Sequence, residues 1–444
     1  MPSDPRTWTL GRPARAAAPT TWATPPAPAG PGAHVAVVGA GIAGCCVAEA
    51  LTRRGGGRVS VIDARGHPAD SLPPHLLGLL EPRLEKDAST AATLHALAAP
   101  AAAALYDRLA TEGRNPWRGR RGAVSAERGR RDDAWRRVVV DRMGWPTDRL
   151  ALLDRDAATA RIGVPPAGDS VLWHPGGGAL SPPALLAALL GETAVIPAVV
   201  ASITPGEGGG WILRAPDGAV IVTADAVVLA TACETVRLWP AAHLPLRPTR
   251  GQVSVLKAAG PEAPPRVAVS GAAYASPPVQ HTDGSWWRIL GATQRPWRPG
   301  DGDPYTPRPE DDARLRAALA EGWPALADAL ATEPTAEALA GLRATTPDHL
   351  PLAGPLFDAD ALAASHGDPL RKAARTLPPI AWPGGLFTLC GMGSYGLSTA
   401  PLMADLVAAQ VTGTPWPLPD PLAEAIHPAR FAVRALIRGR PVAP

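Results

Sequence analysis

From residue 34 onward, short apolar runs rich in β-branched residues alternate with stretches of helical spacing. HVAVVG at 34–39 is one such run, residues 42–54 repeat apolar positions at helical intervals, and RVSVID at 58–63 is a second run. Strand, helix and strand joined so closely predict a right-handed parallel unit, and such units bind ligands outside the carboxyl ends of their strands. A long helix is expected over 88–109. VLWHPGGGALSPPALLAALL at 171–190 reads as strand, glycine turn and helix, with Ser181 as N-cap and Pro182 at the first helical position. Residues 211–214 and 219–223 flank a Pro-Asp-Gly turn as a hairpin, and AVVLAT at 226–231 is a buried strand. GQVSVL at 251–256 and SWWRILGA at 285–292 extend the strand content, helices are expected through much of 309–342, and LFTLCG at 386–391 precedes a helix from about residue 396. Residues 1–33 have no sustained period and are expected to be a disordered leader.

Composition narrows the class. The chain has 444 residues with 45 Gly and 53 Pro, yet 46% are hydrophobic, so a low-complexity or wholly disordered polymer is excluded. Only three cations are lysines (Lys86, Lys257 and Lys372), an arginine excess that looks like GC-rich coding. The net charge of +3 gives no whole-molecule pull on a polyanion, so DNA is not an expected partner and any RNA contact needs a local patch. Four cysteines, two of them adjacent, form neither a disulfide framework nor a zinc spacing, and no metal site is expected. With no apolar run long enough for a membrane span and no signal-peptide pattern, a cytoplasmic protein is expected.

Two glycine-rich segments carry the candidate chemistry. Gly39-Ala40-Gly41-Ile42-Ala43-Gly44 is a GxGxxG between a predicted strand and helix, where glycines permit the tight turn and let a pyrophosphate approach the backbone. Asp63, followed by Ala64, ends the second strand, where a carboxylate can bind the adenosine ribose. Near the C-terminus, Gly391-Met392-Gly393-Ser394-Tyr395-Gly396-Leu397 opens another helix, whose amides and dipole can face an electron-rich ring. Glycine loops at both ends of the chain suit FAD better than NAD(P).

GAGIAG with Asp63, GGGALSPPALLAALL, AVVLATA, RGQVSVL, GLRATTPDHLPLAGP, GMGSYGLSTAPL and HPARFAVRALIRGR resemble, in that order, the D-amino-acid-oxidase-like FAD oxidoreductases. The last two look like the oxidoreductase half of the MnmC family, which removes the carboxymethyl of 5-carboxymethylaminomethyl-2-thiouridine at the wobble position of bacterial tRNA. No counterpart of the methyltransferase half of that family is expected in this sequence. The resemblance implies an α/β fold, with a Rossmann-like FAD-binding domain and a mixed-sheet substrate domain. The FAD-binding domain is expected from 34–110, 169–250 and 345–440, and the substrate domain from 111–168 and 251–344. Three segments depart from the family pattern. Pro73 to Gly78 replaces a polar loop that reaches the flavin, with His75 as at most a partial substitute. Tyr395 stands for a common Arg, and Thr231-Ala232-Cys233 stands where Asn-Gly is usual.

Flavin amine oxidation removes a hydride from the carbon beside nitrogen, so the protein must mainly orient a neutral amine and stabilise charge on the reduced ring. The resemblance places Arg343 as the arginine that binds a substrate carboxylate, where a bidentate guanidinium is suited. Arg250 is the second candidate, against a structural role at a strand edge. His349 and His427 read as packing or hydrogen-bonding residues, the role of His174 stays open, and Cys45 and Cys46 read as small core residues. Between Arg114 and Arg142, ten arginines stand against four acids, with Trp117, Trp135 and Trp145 nearby, a composition for an RNA patch or a solvated surface. The expected activity is oxidation of a secondary amine with a glycine-like arm, on a modified tRNA. The alternatives are an oxidase or dehydrogenase of a free amino acid or metabolite amine, and a flavin-binding protein without turnover.

Overall fold

The computed structural model describes residues 26–30, 32–126, 132–374, 377 and 380–442. They divide into two compact units, one holding Leu72–Ala188 and Pro248–Leu342, the other holding the described residues up to Ser71, Leu189–Arg247 and those from Arg343 onward.

The second of these units contains the predicted parallel core. Strand β1 (His34–Val38), helix α1 (Ile42–Arg53) and strand β2 (Arg58–Asp63) form where the apolar pattern puts them. With β3 (Val195–Pro197), β4 (Ala226–Leu229), β5 (Leu352–Pro355) and β6 (Leu386–Cys390) they make a six-stranded sheet in the order β5-β6-β4-β1-β2-β3. All neighbours are parallel except β5 and β6. Covered on both faces, β1 and β4 are almost wholly buried, which is why they read as continuous apolar runs. The parallel strands end on one edge, so Gly39, Asp63, Ala230 and Gly391 leave the sheet on the same side. The predicted hairpin forms from Trp211–Arg214 and Val220–Ala224, with Ser202–Pro205 as its third strand.

Helix α2 (Gly396–Thr412) packs beside α1. Arg54 grips Asp405 with Nε and Nη2, each at 2.8 Å, and Arg53 Nη2 adds a bond of 2.6 Å. Cys45 and Cys46 are buried in this core, and Cys45 Sγ donates to the Ala40 carbonyl at 3.2 Å. Part of the expected leader is ordered against α2: Ala29 N donates to Val411 O at 3.0 Å. Residues 1–25 and 31 lie outside the described residues.

In the other unit, a ten-stranded mixed sheet is built on Arg247–Ala258 and Trp286–Gly291, with Ala123–Ser125 and Ser170–His174 among its strands. A second sheet joins Gly78–Leu80, Gly178–Leu180 and Trp117–Arg118. These pairings draw 72–110 and 169–188 into this unit, whereas the sequence pattern assigned both to the FAD-binding domain.

Two local expectations also differ. The stretch 335–342 is strand, part of Thr335–Thr345, although TAEALAGL favours helix by composition; pairing with Arg247–Ala258 overrides that propensity. The arginine-rich segment holds helix Asp133–Met143, capped by the Asp132 side chain on Trp135 N at 2.9 Å and closed by Gly144 at φ 55°.

Candidate cofactor and active site

The three glycines of the first loop have separable roles. Gly39 leaves β1 at φ 103°, and a Cβ there would lie 2.6 Å from the Ala230 carbonyl oxygen. At Gly44 a Cβ would lie 1.7 Å from the Gly39 oxygen, so this helix meets its strand only because no side chain intervenes. Gly41 is different: nothing lies within 4 Å of its Cβ position. The protein itself does not need a glycine there, but a bulky anion approaching the backbone does. Helix α1 has Gly41 as an N-cap without a side-chain hydrogen bond and no acid in its first turn. The amides of Ile42, Ala43 and Gly44 have no acceptor among the described residues. Open space before uncapped amides at a positive helix end fits a pyrophosphate.

Asp63 closes the other side of that space. Its Oδ2 accepts from Ala40 N and its Oδ1 from Arg65 N, each at 2.8 Å. The carboxylate therefore fixes the glycine loop, and each oxygen keeps acceptor capacity for ribose hydroxyls. Ala64 follows it in the turn closed by Gly66 N on Asp63 O at 3.1 Å.

The second loop meets the first. Gly391 and Gly393 sit at φ 71° and 55°, and Tyr395 N donates to Met392 O at 3.1 Å as α2 begins. The Thr399 hydroxyl and amide both return to Tyr395 O, at 2.8 and 2.9 Å. A Cβ on Gly396 would be 3.1 Å from Ile42 Cγ2, which sets the start of α2 against the start of α1. Ser394 is exposed at the loop tip, with Met392 and Leu397 half-buried beside it. Two helix N-termini thus converge on the edge where Asp63 also lies, and the residues present fit a two-part cofactor with a pyrophosphate and a ring.

A family model described as "DAO: FAD dependent oxidoreductase" matches residues 34–410. The chain belongs to the DAO family of FAD-dependent oxidoreductases. This DAO-family oxidoreductase is 33% identical over 94% of its length to the tRNA 5-methylaminomethyl-2-thiouridine biosynthesis bifunctional protein MnmC of Magnetococcus marinus. It is 36% identical over 94% of its length to the protein of the same name from Caulobacter sp.. The chain spans 62% and 60% of these two relatives. Among solved structures it is similar to iminodiacetate oxidase from Chelativorans sp., with a TM-score of 0.65 at 22% identity, covering 87% of this chain and 97% of the other. Glycine oxidase from Geobacillus kaustophilus gives 0.63 at 21% identity over the same shares. These two likenesses concern the fold.

The catalytic candidates of this DAO-family oxidoreductase part company. Arg343 is half-buried on Thr335–Thr345. Its neighbour Ala344 accepts from Gly393 N at 2.9 Å, and Thr345 Cγ2 would lie 3.5 Å from a Cβ on Gly393, so the end of this strand is stitched to the second glycine loop. Arg250 is instead committed to its own unit. It is 2% exposed; Nη1 bonds Asp311 Oδ2 at 2.6 Å, Nε the Pro304 carbonyl at 3.1 Å, and Nη2 both Gln252 Oε1 and the Thr306 carbonyl, at 3.1 and 2.7 Å. The expectation that Arg250 binds substrate is corrected: its donors hold a buried ionic network.

The departures from the family pattern have visible consequences. His75 places Nε2 2.7 Å from Glu337 Oε2 and stacks on Trp287 with ring centroids 5.9 Å apart. Ala232, within the segment Thr231 to Cys233, adopts φ 52°, a left-handed backbone. In the arginine-rich segment, Trp117 is buried and the partly buried Trp135 and Trp145 pack against the cluster that includes Val139 and Leu150. Arg120 pairs with Glu262 at 2.8 Å, Arg136 with Asp133 at 2.8 Å, Arg121 with Asp107 at 2.5 Å, and Arg142 bonds the Glu85 carbonyl at 2.8 Å. Arg128, Arg130 and Arg131 lie outside the described residues.

His174 and His427 are both buried. Burial pushes His174 down to about 3 and, aided by Arg430, His427 down to about 3, so both are neutral at pH 7. His349 is exposed at φ 58°, in the turn held by Asp348.

Proposed function

We propose that this oxidoreductase oxidises the C–N bond of a secondary amine bearing a glycine-like arm, on a modified wobble uridine of tRNA. The observation that carries the reading is the stitch between Gly393 and Ala344, which sets Arg343 one residue from the second glycine loop. The FAD-binding residues would be Gly39 to Gly44 and Asp63 at the adenosine diphosphate, with Gly391 to Leu397 at the ring. When bound, FAD supplies a two-electron acceptor for the hydride.

The chain's own part is orientation. A carboxylate leaving bulk water needs a compensating cation, and the fork of Arg343 satisfies both oxygens while directing the adjacent CH₂ toward the ring. Loss of a hydride from that carbon and a proton from nitrogen leaves an imine, which water splits into the shortened amine and an oxoacid. The names of the relatives support tRNA as the carrier of the amine. A small metabolite amine is the second reading, favoured by the fold shared with iminodiacetate and glycine oxidases.

The test is anaerobic bleaching of the flavin spectrum by tRNA carrying 5-carboxymethylaminomethyl-2-thiouridine, beside iminodiacetate, glycine and sarcosine. Bleaching by the tRNA at low concentration is expected. Bleaching by small amines alone establishes the second reading, and none by either leaves a flavin-binding protein without this activity. Charge-assisted hydrogen bonds contribute about 1.5–3 kcal/mol each, so Arg343→Ala should lower kcat/KM by roughly ten- to several-hundred-fold. Arg343→Lys should recover part of it, with FAD retained in both.

A further inference from the structure

The C-terminal motif holds basic groups that the oxidation does not use. Helix Arg430–Ile437 lies against the turn at Pro347 to Leu350, and between them is a cleft of about 320 Å³ lined by Asp348, Phe431, Arg434, Arg438 and Arg440. The one acid in the cleft is already matched. Buried Arg430 meets Asp348 with Nε at 3.0 Å and Nη2 at 2.8 Å, and also bonds the Leu350 and Pro351 carbonyls. Burial would raise the Asp348 carboxyl, but hydrogen bonds from Arg430 and Arg434 hold it down at about 2, so the pair is a fixed ionic clamp.

Three guanidiniums remain beyond that pair. Arg434 gives Asp348 Oδ2 a single bond of 2.8 Å and lies 5.5 Å from the centre of the Phe431 ring, contacts that orient it. Arg438 and Arg440 are exposed and make no side-chain hydrogen bond or ion pair among the described residues. Arg434 lies in the last turn of the helix and Arg438, four residues on, is its C-cap, both near a C-terminus whose dipole favours cations. The protein carries a net charge of only +3, so a local excess of this size beside an already neutralised carboxylate is a concentrated anion-attracting feature.

We propose that this cleft docks the phosphate backbone of an RNA, with Arg434, Arg438 and Arg440 as its phosphate ligands. The inference rests on the tRNA reading above. RNA is favoured over an anionic membrane because the cations line a cleft, and Ile437 is the sole large exposed apolar side chain on this helix among the described residues. It also differs from the arginine-rich segment, where most of the described cations already have protein partners.

The experiment measures binding of unmodified tRNA to FAD-loaded protein by fluorescence anisotropy from 50 to 300 mM salt, as ordinary assay conditions. The proteins are wild type, Arg438→Gln/Arg440→Gln, and the charge-matched control Arg137→Gln/Arg155→Gln. The cleft variant should bind roughly tenfold or more weakly, with a log–log salt slope shallower by about 2, one for each guanidinium removed from a phosphate. Its reduction by a small amine should match wild type, and the control should bind as wild type does. Equal binding by wild type and the cleft variant overturns the cleft while leaving the tRNA reading intact, as does an equal loss in both variants. Wild type that binds no tRNA but is reduced by small amines overturns the tRNA reading and the cleft together. Variant-sensitive binding to anionic vesicles, with tRNA binding unaffected, identifies a membrane surface instead.

Discussion

Substituting Gly41 and Gly44 should separate cofactor binding from folding within one six-residue loop. At Gly41 an added Cβ meets nothing within 4 Å, and φ −74°, ψ −176° is an extended conformation open to any residue. Gly41→Val therefore costs the free protein little, but its side chain fills the approach to the amides of α1. Gly44→Ala puts a methyl 1.7 Å from a backbone oxygen and 3.3 Å from Val37 Cγ1, so strand and helix must part. Overpacking of this kind costs roughly 1–3 kcal/mol, and more where backbone must move. In wild type, FAD at 100 times its Kd stabilises the fold by about 2.7 kcal/mol, or about 5–10 °C in Tm at 2–4 °C per kcal/mol. The assay is differential scanning fluorimetry of FAD-stripped protein across an FAD titration, with flavin retention read by absorbance after gel filtration. Gly41→Val should melt within about 2 °C of stripped wild type and show no FAD shift, whereas Gly44→Ala should melt several degrees lower even without FAD. Normal FAD uptake by Gly41→Val, or an unchanged Tm in Gly44→Ala, would refute the assignment of roles.

Ala232→Gly should stabilise the protein by about 1 kcal/mol in denaturant titration, since a left-handed alanine costs roughly 1–2 kcal/mol and the added flexibility of glycine returns part of that. Arg250→Ala should lower stability by about 3–5 kcal/mol by stranding part of a buried charge network, while the refolded fraction keeps its flavin-reduction KM; a KM increase with unchanged stability would restore Arg250 as a substrate ligand. His174 is held down by burial, so the unfolded chain takes up a proton below its ordinary pKa of 6.5 that the folded chain refuses until about pH 3. Stability should therefore fall as pH drops through that window, and His174→Phe should flatten the Tm profile between pH 6.5 and 4. Asp348 acts at lower pH: its depressed carboxyl stabilises the fold above about pH 4, and that contribution is lost toward pH 2, where Asp348→Asn and wild type should converge in urea midpoint.

Local pattern determined the nucleotide-binding half closely. β1, α1, β2, the hairpin and the strand–loop–helix at 386–412 are each specified by residues within a few positions of one another, through apolar periodicity, caps and glycines. The glycine positions were legible because their requirements are steric and local, at Gly39, Gly44 and Gly391. Tertiary structure decided what depends on distant partners. Thr335–Thr345 has the composition of a helix and becomes strand because Arg247–Ala258 offers it hydrogen bonds. The units could not be apportioned from chain order, since the pairing of Gly78–Leu80 with Gly178–Leu180 is non-local. Arginine roles were least legible. Arg250, Arg343 and Arg438 are alike in sequence, and only the fold sets them in different surroundings: Arg250 against Asp311, Arg343 next to the residue that accepts from Gly393, and Arg438 beside an Asp348 already satisfied by Arg430. A guanidinium's function is set by which acceptors the fold brings within about 3 Å, and neighbours in sequence rarely supply them.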